Sequence, residues 1–258
     1  MKRFFRRHAT LWMLIGFCLL LGLFLSLRTG IFFTGRNLIN ILEANSFKLL
    51  LAIGMTFVIA SGGIDLSVGS ILSLSAIFTA LCMKQNIPVW LAILVGLLSG
   101  ILMGLINGAL IHFTGINAFI ITLGTSFLYR GLALIVTRGT PVSKLPAAYR
   151  AFGGGDIFQV ESGVYMALLV LLLSIPLLYK MRWGHYITTL GGNPVALRRC
   201  GVRTGAWRIS TFAVMGFLAA LAGIIISARL NSAEPNAGLN MEMDAITAVI
   251  MGGTPLHG

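Results

Sequence analysis

The chain has 258 residues, of which 57% are hydrophobic and only 10% are charged, and its mean hydropathy is +0.93. A soluble domain carries roughly 25% charged residues, so the composition excludes a water-soluble protein and predicts an all-α, polytopic membrane bundle. The net charge of +12 fits basic loops that orient membrane spans and meet anionic lipid, and with no polar domain to carry a binding face we expect no nucleic-acid partner.

Apolar runs predict seven spans in chain order, since a helix needs about 20 mostly apolar residues to cross the hydrocarbon core. The second run is short and is expected to extend or break near Ser61–Gly63, and the uncharged stretch from Ile87 to Tyr129 is divided at residues 114–117. All the spans form one transmembrane domain over residues 1–258. The predicted spans are residues 11–27, 47–60, 66–83, 88–113, 117–137, 163–179 and 209–228, and an eighth would start at 242–253.

Loop charge predicts the orientation of these spans. Basic residues precede the first span, and segment 180–208, six crossings later, carries six basic residues and no acidic one. Because basic loops stay in the cytoplasm, both should lie inside the cell and residues 138–162 outside. No small-residue cleavage site follows the first run, so we expect a retained helix and not a signal peptide. The residues that place the N-terminus inside are Lys2, Arg3, Arg6 and Arg7.

Glycines recur every fourth residue in the fourth predicted span, at Gly96, Gly100, Gly104 and Gly108. Residues at this spacing share one helix face, and small residues there let a neighbouring helix approach closely. One such pair could arise by chance in a chain with 31 glycines. Four in register predict a tight helix contact and do not indicate a substrate site.

Residue types that carry chemistry are sparse in this sequence. The three cysteines are widely spaced, and the four histidines form no ligand cluster, so neither a disulfide framework nor a metal site is predicted. The sequence contains no nucleophile elbow, zinc-protease helix or phosphate-binding loop. We therefore expect no catalytic residue and no cofactor, and any ATP would be bound by a partner chain.

Asp65 interrupts the apolar sequence between the second and third predicted spans, within the motif SGGIDLSVGS. It could cap the third helix by accepting from backbone N–H groups near Ser67 or Val68. It could also line or gate a translocation path, because an acidic group inside a membrane is costly and is functional by default. Ser67 and Arg130 are the other candidates for the path. We expect no ion pair between Asp65 and Arg130, which the predicted spans separate by about 20 Å at 1.5 Å per residue.

The basic segment 180–208 contains a short helix with well-formed ends. Asn193 suits the N-cap, Pro194 the first helical position and Gly201 the residue just past the end. Arg198 and Arg199 fall in the last turn, where they complement the helix dipole. Such a helix is well placed to receive a partner protein, and its apolar face is too small for strong lipid anchoring. The candidate docking residues are Gly191, Gly192, Asn193, Pro194, Ala196, Arg198, Arg199 and Gly201.

Several motifs resemble the permease subunits of ribose-type ATP-binding-cassette importers. They are GGIDLSVG at 62–69, FIITLG at 119–124, YRGLA at 129–133, GGNPVA at 191–196 and DAITAVIMGGT at 244–254. The resemblance implies a permease of the bacterial inner membrane that translocates a sugar or sugar-like solute. It also implies three partners: a cytoplasmic ATP-binding subunit, a second permease subunit and a periplasmic substrate-binding protein. In this family Asn193–Gly201 would be the segment that meets the ATPase.

Two alternatives accompany this interpretation. An ion-coupled secondary transporter would use Asp65 to bind the driving cation, although such carriers usually bury more acidic groups than this chain offers. Permeases for branched-chain amino acids or nucleosides are the nearest confusable relatives. Members of the ribose-type family continue with further spans, so we expect a sequence that stops at Gly258 to be a fragment or a truncated product.

Overall fold

A computed structural model describes residues 9–255, so Lys2, Arg3, Arg6 and Arg7, on which the predicted orientation depends, lie outside the described residues. Between residues 9 and 255 the chain forms eleven helices and four strands of two residues each. The helices are α1 (Ala9–Thr29), α2 (Gly35–Ala60), α3 (Val68–Lys84), α4 (Val89–Thr114), α5 (Ala118–Thr137), α6 (Ala147–Gly154), α7 (Ser162–Tyr179), α8 (Arg182–Gly192), α9 (Pro194–Arg199), α10 (Thr204–Leu230) and α11 (Met241–Met251). The strands are β1 (Val142–Ser143), β2 (Asp156–Ile157), β3 (Val160–Glu161) and β4 (Ser232–Ala233).

Local capping residues fix where several of these helices begin and end. The side chain of Asn117 accepts from the Phe119 N–H at 2.9 Å and so starts α5. Gly115 ends α4 with a φ of 70°, a left-handed conformation that glycine adopts without a steric penalty. The predicted break at residues 114–117 is thus a C-cap and an N-cap with one residue between them.

α2 begins well before the predicted start at residue 47. Thr34 caps it by accepting from the Asn37 N–H at 3.4 Å, and the helix runs from Gly35 to Ala60. The sequence prediction followed the apolar run and therefore left out the polar first half of the helix. Glu43 in that half is buried, and its carboxyl group accepts a hydrogen bond from the backbone N–H of Glu161.

α10 is the central helix of the bundle. In its most apolar stretch 72% of the residues are buried, whereas the corresponding value for α1 is 6%. α10 contacts α4, α3 and α2 along its length, and α6 packs on it near its C-terminal end. α1 lies at the periphery with most of its large apolar side chains exposed.

The four glycines of α4 face α10. A Cβ atom on Gly108 would lie 2.7 Å from the Cα of Ile209, and one on Gly104 would lie 2.9 Å from the carbonyl carbon of Phe212. Gly100 faces Gly216 and Ala220 of α10. Gly96 faces Thr79 of α3 and Ile224 of α10. Backbones this close leave no room for a side chain, so the stripe forms a helix contact of the small-residue type.

Residues 138–161, predicted as a polar segment, fold into short elements at one end of the bundle. β1 pairs antiparallel with β4 and β2 with β3, while α6 packs against α10 and α7. We call this the loop end. The opposite end carries α8 and α9 within residues 180–208, and we call it the basic end.

Six helices among residues 9–255 are long and apolar enough to cross a membrane, namely α1, α2, α4, α5, α7 and α10. α3 is apolar but has only 17 residues. α11, with 11 residues, overlaps the segment predicted at 242–253 and packs along α2. The chain reaches α11 through residues 231–240, where the Gly238 N–H donates to Ser73 Oγ of α3 at 3.0 Å.

Candidate functional site

The break between α2 and α3 is an irregular segment with its own hydrogen bonds. Gly62 has a φ of 78°, so the chain turns at this glycine. Asp65 Oδ1 accepts from the Ser67 N–H at 2.8 Å and from the Ser67 hydroxyl at 2.6 Å. Both residues are fully buried. The bond to the Ser67 N–H is among those that the capping interpretation named, but Ser67 is itself the N-cap of α3 and no side-chain bond caps the helix, so Asp65 orders the break before α3 and does not cap it. A role in a path or gate stays a prediction.

A chain of side-chain hydrogen bonds extends from the break into α4 and α5. Asn107 Nδ2 donates to Ser67 Oγ at 2.7 Å. The Tyr129 hydroxyl lies 3.2 Å from both Asn107 Oδ1 and the Met103 carbonyl oxygen. Buried polar groups are costly unless they are paired. The chain therefore holds α4 and α5 in a fixed position relative to the break.

Thr122 of α5 supports the same break from a second side. The Leu66 N–H donates to Thr122 Oγ1 at 3.0 Å, and the Thr122 hydroxyl donates to the Ala118 carbonyl at 2.8 Å. Irregular backbone at membrane depth is tolerated only where protein groups satisfy it. Thr122 supplies that satisfaction, which explains how a non-helical segment can sit inside the bundle.

Asp65 and Arg130 form no ion pair within residues 9–255, as the sequence analysis expected. Arg130 follows Tyr129 on α5, and its Nη1 atom is buried without a hydrogen-bond partner among the described residues. Asp65 Oδ2 is likewise buried and unpaired. The two charges therefore do not compensate each other, and any role of Arg130 in a path or gate stays a prediction.

The basic end carries the short helix α9 with the ends that the sequence predicts. Asn193 Oδ1 accepts from the Ala196 N–H at 2.9 Å, and Pro194 is the first helical residue. Gly201 has a φ of 78°, and its N–H and that of Val202 donate to the carbonyls of the last turn at 3.0 and 3.4 Å, a Schellman motif. Arg198 and Arg199 in that turn are exposed.

The two segments singled out in the sequence meet in the structure. α8, which leads into α9, places the backbone of Gly191 against Ala60 and Gly62. A Cβ atom on Gly62 would lie 3.2 Å from the Gly191 Cα, and one on Gly191 would lie 3.0 Å from the Gly62 nitrogen. Direct backbone contact therefore links the candidate docking segment to the break that carries Asp65. Gly192, the next residue, has open space around it.

A small charged cluster at the loop end joins α2, β3 and α10. Glu43 is 4% exposed, and its Oε1 accepts from the Glu161 N–H at 3.1 Å. Arg229 Nε lies 2.9 Å from Glu161 Oε2. Burial raises the pKa of Glu161, while the charge of Arg229 opposes that rise and Glu43 adds to it. The cluster ties β3 to two of the long helices.

Sequence reasoning missed several polar residues that the structure brings into pairs. Asn107, Thr122 and Tyr129 join the network at the break, and Lys48 Nζ lies 2.8 Å from Asp244 Oδ2. The available signal was a polar side chain within an apolar run, since such residues in membrane helices face other protein groups or water. That signal marks a residue but does not name its partner.

Comparison with known proteins identifies the family. A family model described as the permease component of the branched-chain amino acid transport system matches residues 37–258. A ribose import permease protein of Haemophilus influenzae is 38% identical over 231 residues, which cover 88% of this chain and 72% of the relative. A D-allose transport system permease protein of Escherichia coli is 35% identical over 256 residues, which cover 99% and 78%.

A third relative, an autoinducer 2 import system permease protein of Yersinia pestis, is 34% identical over 227 residues, which cover 88% of this chain and 65% of the relative. No solved structure matches the chain. These matches confirm the resemblance inferred from the motifs, and with its apolar helices the protein is a multi-pass inner-membrane protein. The chain belongs to the permease-component family of ATP-binding-cassette importers.

Proposed function

We propose that this chain is the membrane-spanning permease of an importer for a sugar or sugar-like solute, driven by ATP binding and hydrolysis in a partner subunit. The relatives named for ribose, D-allose and autoinducer 2 support this substrate class. The proposed partners are a cytoplasmic ATP-binding subunit, a second permease subunit and a periplasmic substrate-binding protein. Nothing in these relatives favours the ion-coupled alternative.

The proposed orientation places the basic end in the cytoplasm. Its support is the charge of residues 180–208, which include six basic residues and no acidic one. The acidic residues outside the break, Glu43, Asp156, Glu161, Glu234, Glu242 and Asp244, all lie in or next to the loop end or in α2 and α11. An ATP-binding subunit must then meet the basic end.

The single observation that carries the proposal is the backbone contact between the capped basic segment and the break. α9 is exposed, short and rigidly capped at both ends, which suits a docking element. Movement of α8 with α9 would press directly on Gly62 through Gly191. A partner that pulls or tilts α9 could therefore change the α2–α3 break, which lies beside the Asp65 network.

The test is charge reversal at the end of α9. Replacing both Arg198 and Arg199 with Glu in the assembled transporter should lower solute uptake and solute-stimulated ATP hydrolysis at least about tenfold. We take the facing surface of the ATP-binding subunit to be acidic, so the two Glu residues would meet like charges. Such a juxtaposition costs several kcal/mol across an interface, and 1.4 kcal/mol is already tenfold. D-Ribose and D-allose uptake into cells and ATP hydrolysis by the purified complex are the measurements.

Arg182→Glu is the matched control, because Arg182 is exposed at the same end but lies in the first turn of α8. It should leave uptake and ATP hydrolysis close to the parent values. Equal losses in the control and the double variant would indicate a general charge effect. Full uptake in the double variant would contradict docking through α9.

A further inference from the structure

A groove lies between α2 and α11, and it is polar at the side nearest the loop end. It has a volume of about 630 Å³. The ion pair between Lys48 and Asp244 lies in its wall, with the two side chains 40% and 51% exposed. We call it the α2–α11 groove. Its lining residues are Asn45, Lys48, Leu49, Ala52, Asp244, Thr247, Ala248 and Met251.

The ion pair lies within the membrane span, in the third nearest the loop end. Glu43 of α2 accepts from the Glu161 N–H at the loop end, directly before α7 begins at Ser162. Lys48 follows Glu43 by five residues, which is about 8 Å along the helix at 1.5 Å per residue, in a hydrocarbon core about 30 Å thick. A charged pair exposed to lipid tails there would be unfavourable, which favours a protein or water environment for the pair.

The residues around the pair support this conclusion. From residue 45 to the end of α2, the positions that are not buried are Asn45, Lys48, Leu49, Ala52 and Thr56, which share one helix face and are mostly polar or small. α4 shows the opposite pattern. Its exposed positions between residues 90 and 110 are all large and apolar: Trp90, Leu94, Leu98, Leu102, Leu105, Ile106 and Leu110. The outer face of α4 suits lipid, whereas the groove does not.

The groove continues toward the basic end through two further cavities. A cavity of about 250 Å³ shares Leu49, Ala52 and Ala248 with it. That cavity in turn shares Thr56 and Thr254 with one of about 460 Å³, which is also lined by His185 and Thr188 of α8. The three cavities thus form one route from the loop-end third of the span to the helix that leads into the candidate docking segment.

We propose that the α2–α11 groove is the part of the translocation route that binds the solute, and that Lys48, Asp244, Asn45 and Thr247 hold it by hydrogen bonds to its hydroxyl groups. The inference rests on the proposed function, since it takes a small polyhydroxylated solute as the occupant. Within residues 9–255 the Lys48 ammonium donates only to Asp244, so it has two donors left for a ligand. Asp244 keeps one free carboxylate oxygen for a solute hydroxyl.

This donor and acceptor set matches the chemistry of a sugar. A sugar hydroxyl both donates and accepts, so an ammonium beside a carboxylate can engage adjacent hydroxyls in opposite senses. Transporters commonly bind their substrates within the bilayer, where a polar site is surrounded by apolar walls. Leu49, Ala52, Ala248 and Met251 supply such walls here.

The experiment measures water access and solute protection at Thr247. In a parent with Cys18, Cys82 and Cys200 replaced by Ser, Thr247→Cys is compared with Leu98→Cys, whose side chain is exposed on the apolar face of α4. The assembled transporter in lipid nanodiscs is treated with a charged, membrane-impermeant methanethiosulfonate reagent, with and without D-ribose or D-allose. We expect Thr247→Cys to react at least about tenfold faster, because only a hydrated thiol forms the reactive thiolate readily. We expect a saturating amount of either sugar to slow that reaction.

Each other outcome overturns the inference. If Thr247→Cys reacts as slowly as Leu98→Cys, lipid or another protein segment, such as the second permease copy, seals the groove. If it reacts quickly but neither sugar slows the reaction, the groove holds water without binding the solute. Uptake of both sugars by the cysteine-free parent is measured separately in cells. Absence of that uptake counts against the proposed function, whereas intact uptake with unprotected labelling counts against the groove alone.

Discussion

Single polar side chains inside this bundle matter through their hydrogen-bond partners. Asn107 shows this most clearly, because its amide donates to Ser67 at 2.7 Å and accepts from Tyr129 at 3.2 Å. It is fully buried, so either half of the amide left unpaired would carry a desolvation penalty. The network therefore specifies one arrangement of α3, α4 and α5 around the break.

The hydroxyl of Tyr129 provides a test at this scale. Tyr129→Phe removes one buried donor and leaves Asn107 Oδ1 without it, so we expect a loss of about 0.5–1.5 kcal/mol in the free energy of unfolding. Tyr179→Phe is the matched control, because Tyr179 is 70% exposed. Unfolding of the purified protein in mixed detergent micelles measures both. Equal stability of the two variants would show that the network does not stabilise the bundle.

Residue-scale predictions from the sequence succeeded where donor and acceptor are close in the chain. The cap of α9 joins Asn193 to Ala196, three positions away, and the bond from Ser67 to Asp65 spans two. The bond between Tyr129 and Asn107 spans 22 positions, and the Lys48–Asp244 pair spans 196. Such pairs depend on how the helices pack, which no local pattern encodes.

At the scale of whole helices, packing at small residues decides which elements are neighbours. The stripe on α4 was visible in the sequence because it repeats every four residues, but the sequence did not identify α10 as its partner. α10 contributes its own small residues, Gly216 and Ala220, to the contact with Gly100. Two short small-residue faces thus bring these helices together, where larger side chains would hold them apart.

Gly104 and Gly124 offer a matched pair of substitutions in neighbouring helices. A Cβ atom on Gly104 would collide with the backbone of Phe212, whereas Gly124 on α5 has no atom within 4 Å of that position. Gly104→Ala should therefore destabilise the protein by about 1–3 kcal/mol. Gly124→Ala should be neutral or stabilise it by about 0.5–1 kcal/mol through the better helix propensity of alanine.

Thermal unfolding of the two purified variants, followed by the loss of monodisperse protein on gel filtration, makes the comparison. If Gly104→Ala is as stable as Gly124→Ala, the α4–α10 contact can accommodate a methyl group without loss of stability. The glycine stripe would then not be required for close packing of the two helices.

Helix boundaries were less predictable than helix existence, for a physical reason seen in α2. The apolar run predicted a short span at 47–60, yet the helix starts at Gly35 behind the Thr34 cap. Its first half contains Arg36, Asn40 and Asn45, which hydropathy alone excludes from a span. The added half places Lys48 in the middle of α2 instead of at its start.

At the scale of the whole molecule, charge is distributed unevenly between the two ends. The basic end carries six Lys and Arg residues within 180–208 and no acidic residue, whereas residues 138–162 include Asp156 and Glu161. Loops with this much basic charge are retained in the cytoplasm. The basic end should therefore face the cytoplasm and the loop end the periplasm.

Cysteine labelling of intact cells tests this orientation directly. Ser143 is exposed on β1 at the loop end, and Cys200 is exposed just after α9 at the basic end. In a background with Cys18 and Cys82 replaced by Ser, a membrane-impermeant maleimide should label Ser143→Cys from outside. Cys200 should react only after the cells are permeabilised. Labelling of Cys200 in intact cells would place the basic end outside, where no cytoplasmic ATP-binding subunit could reach α9, so the proposed coupling would be excluded together with the orientation.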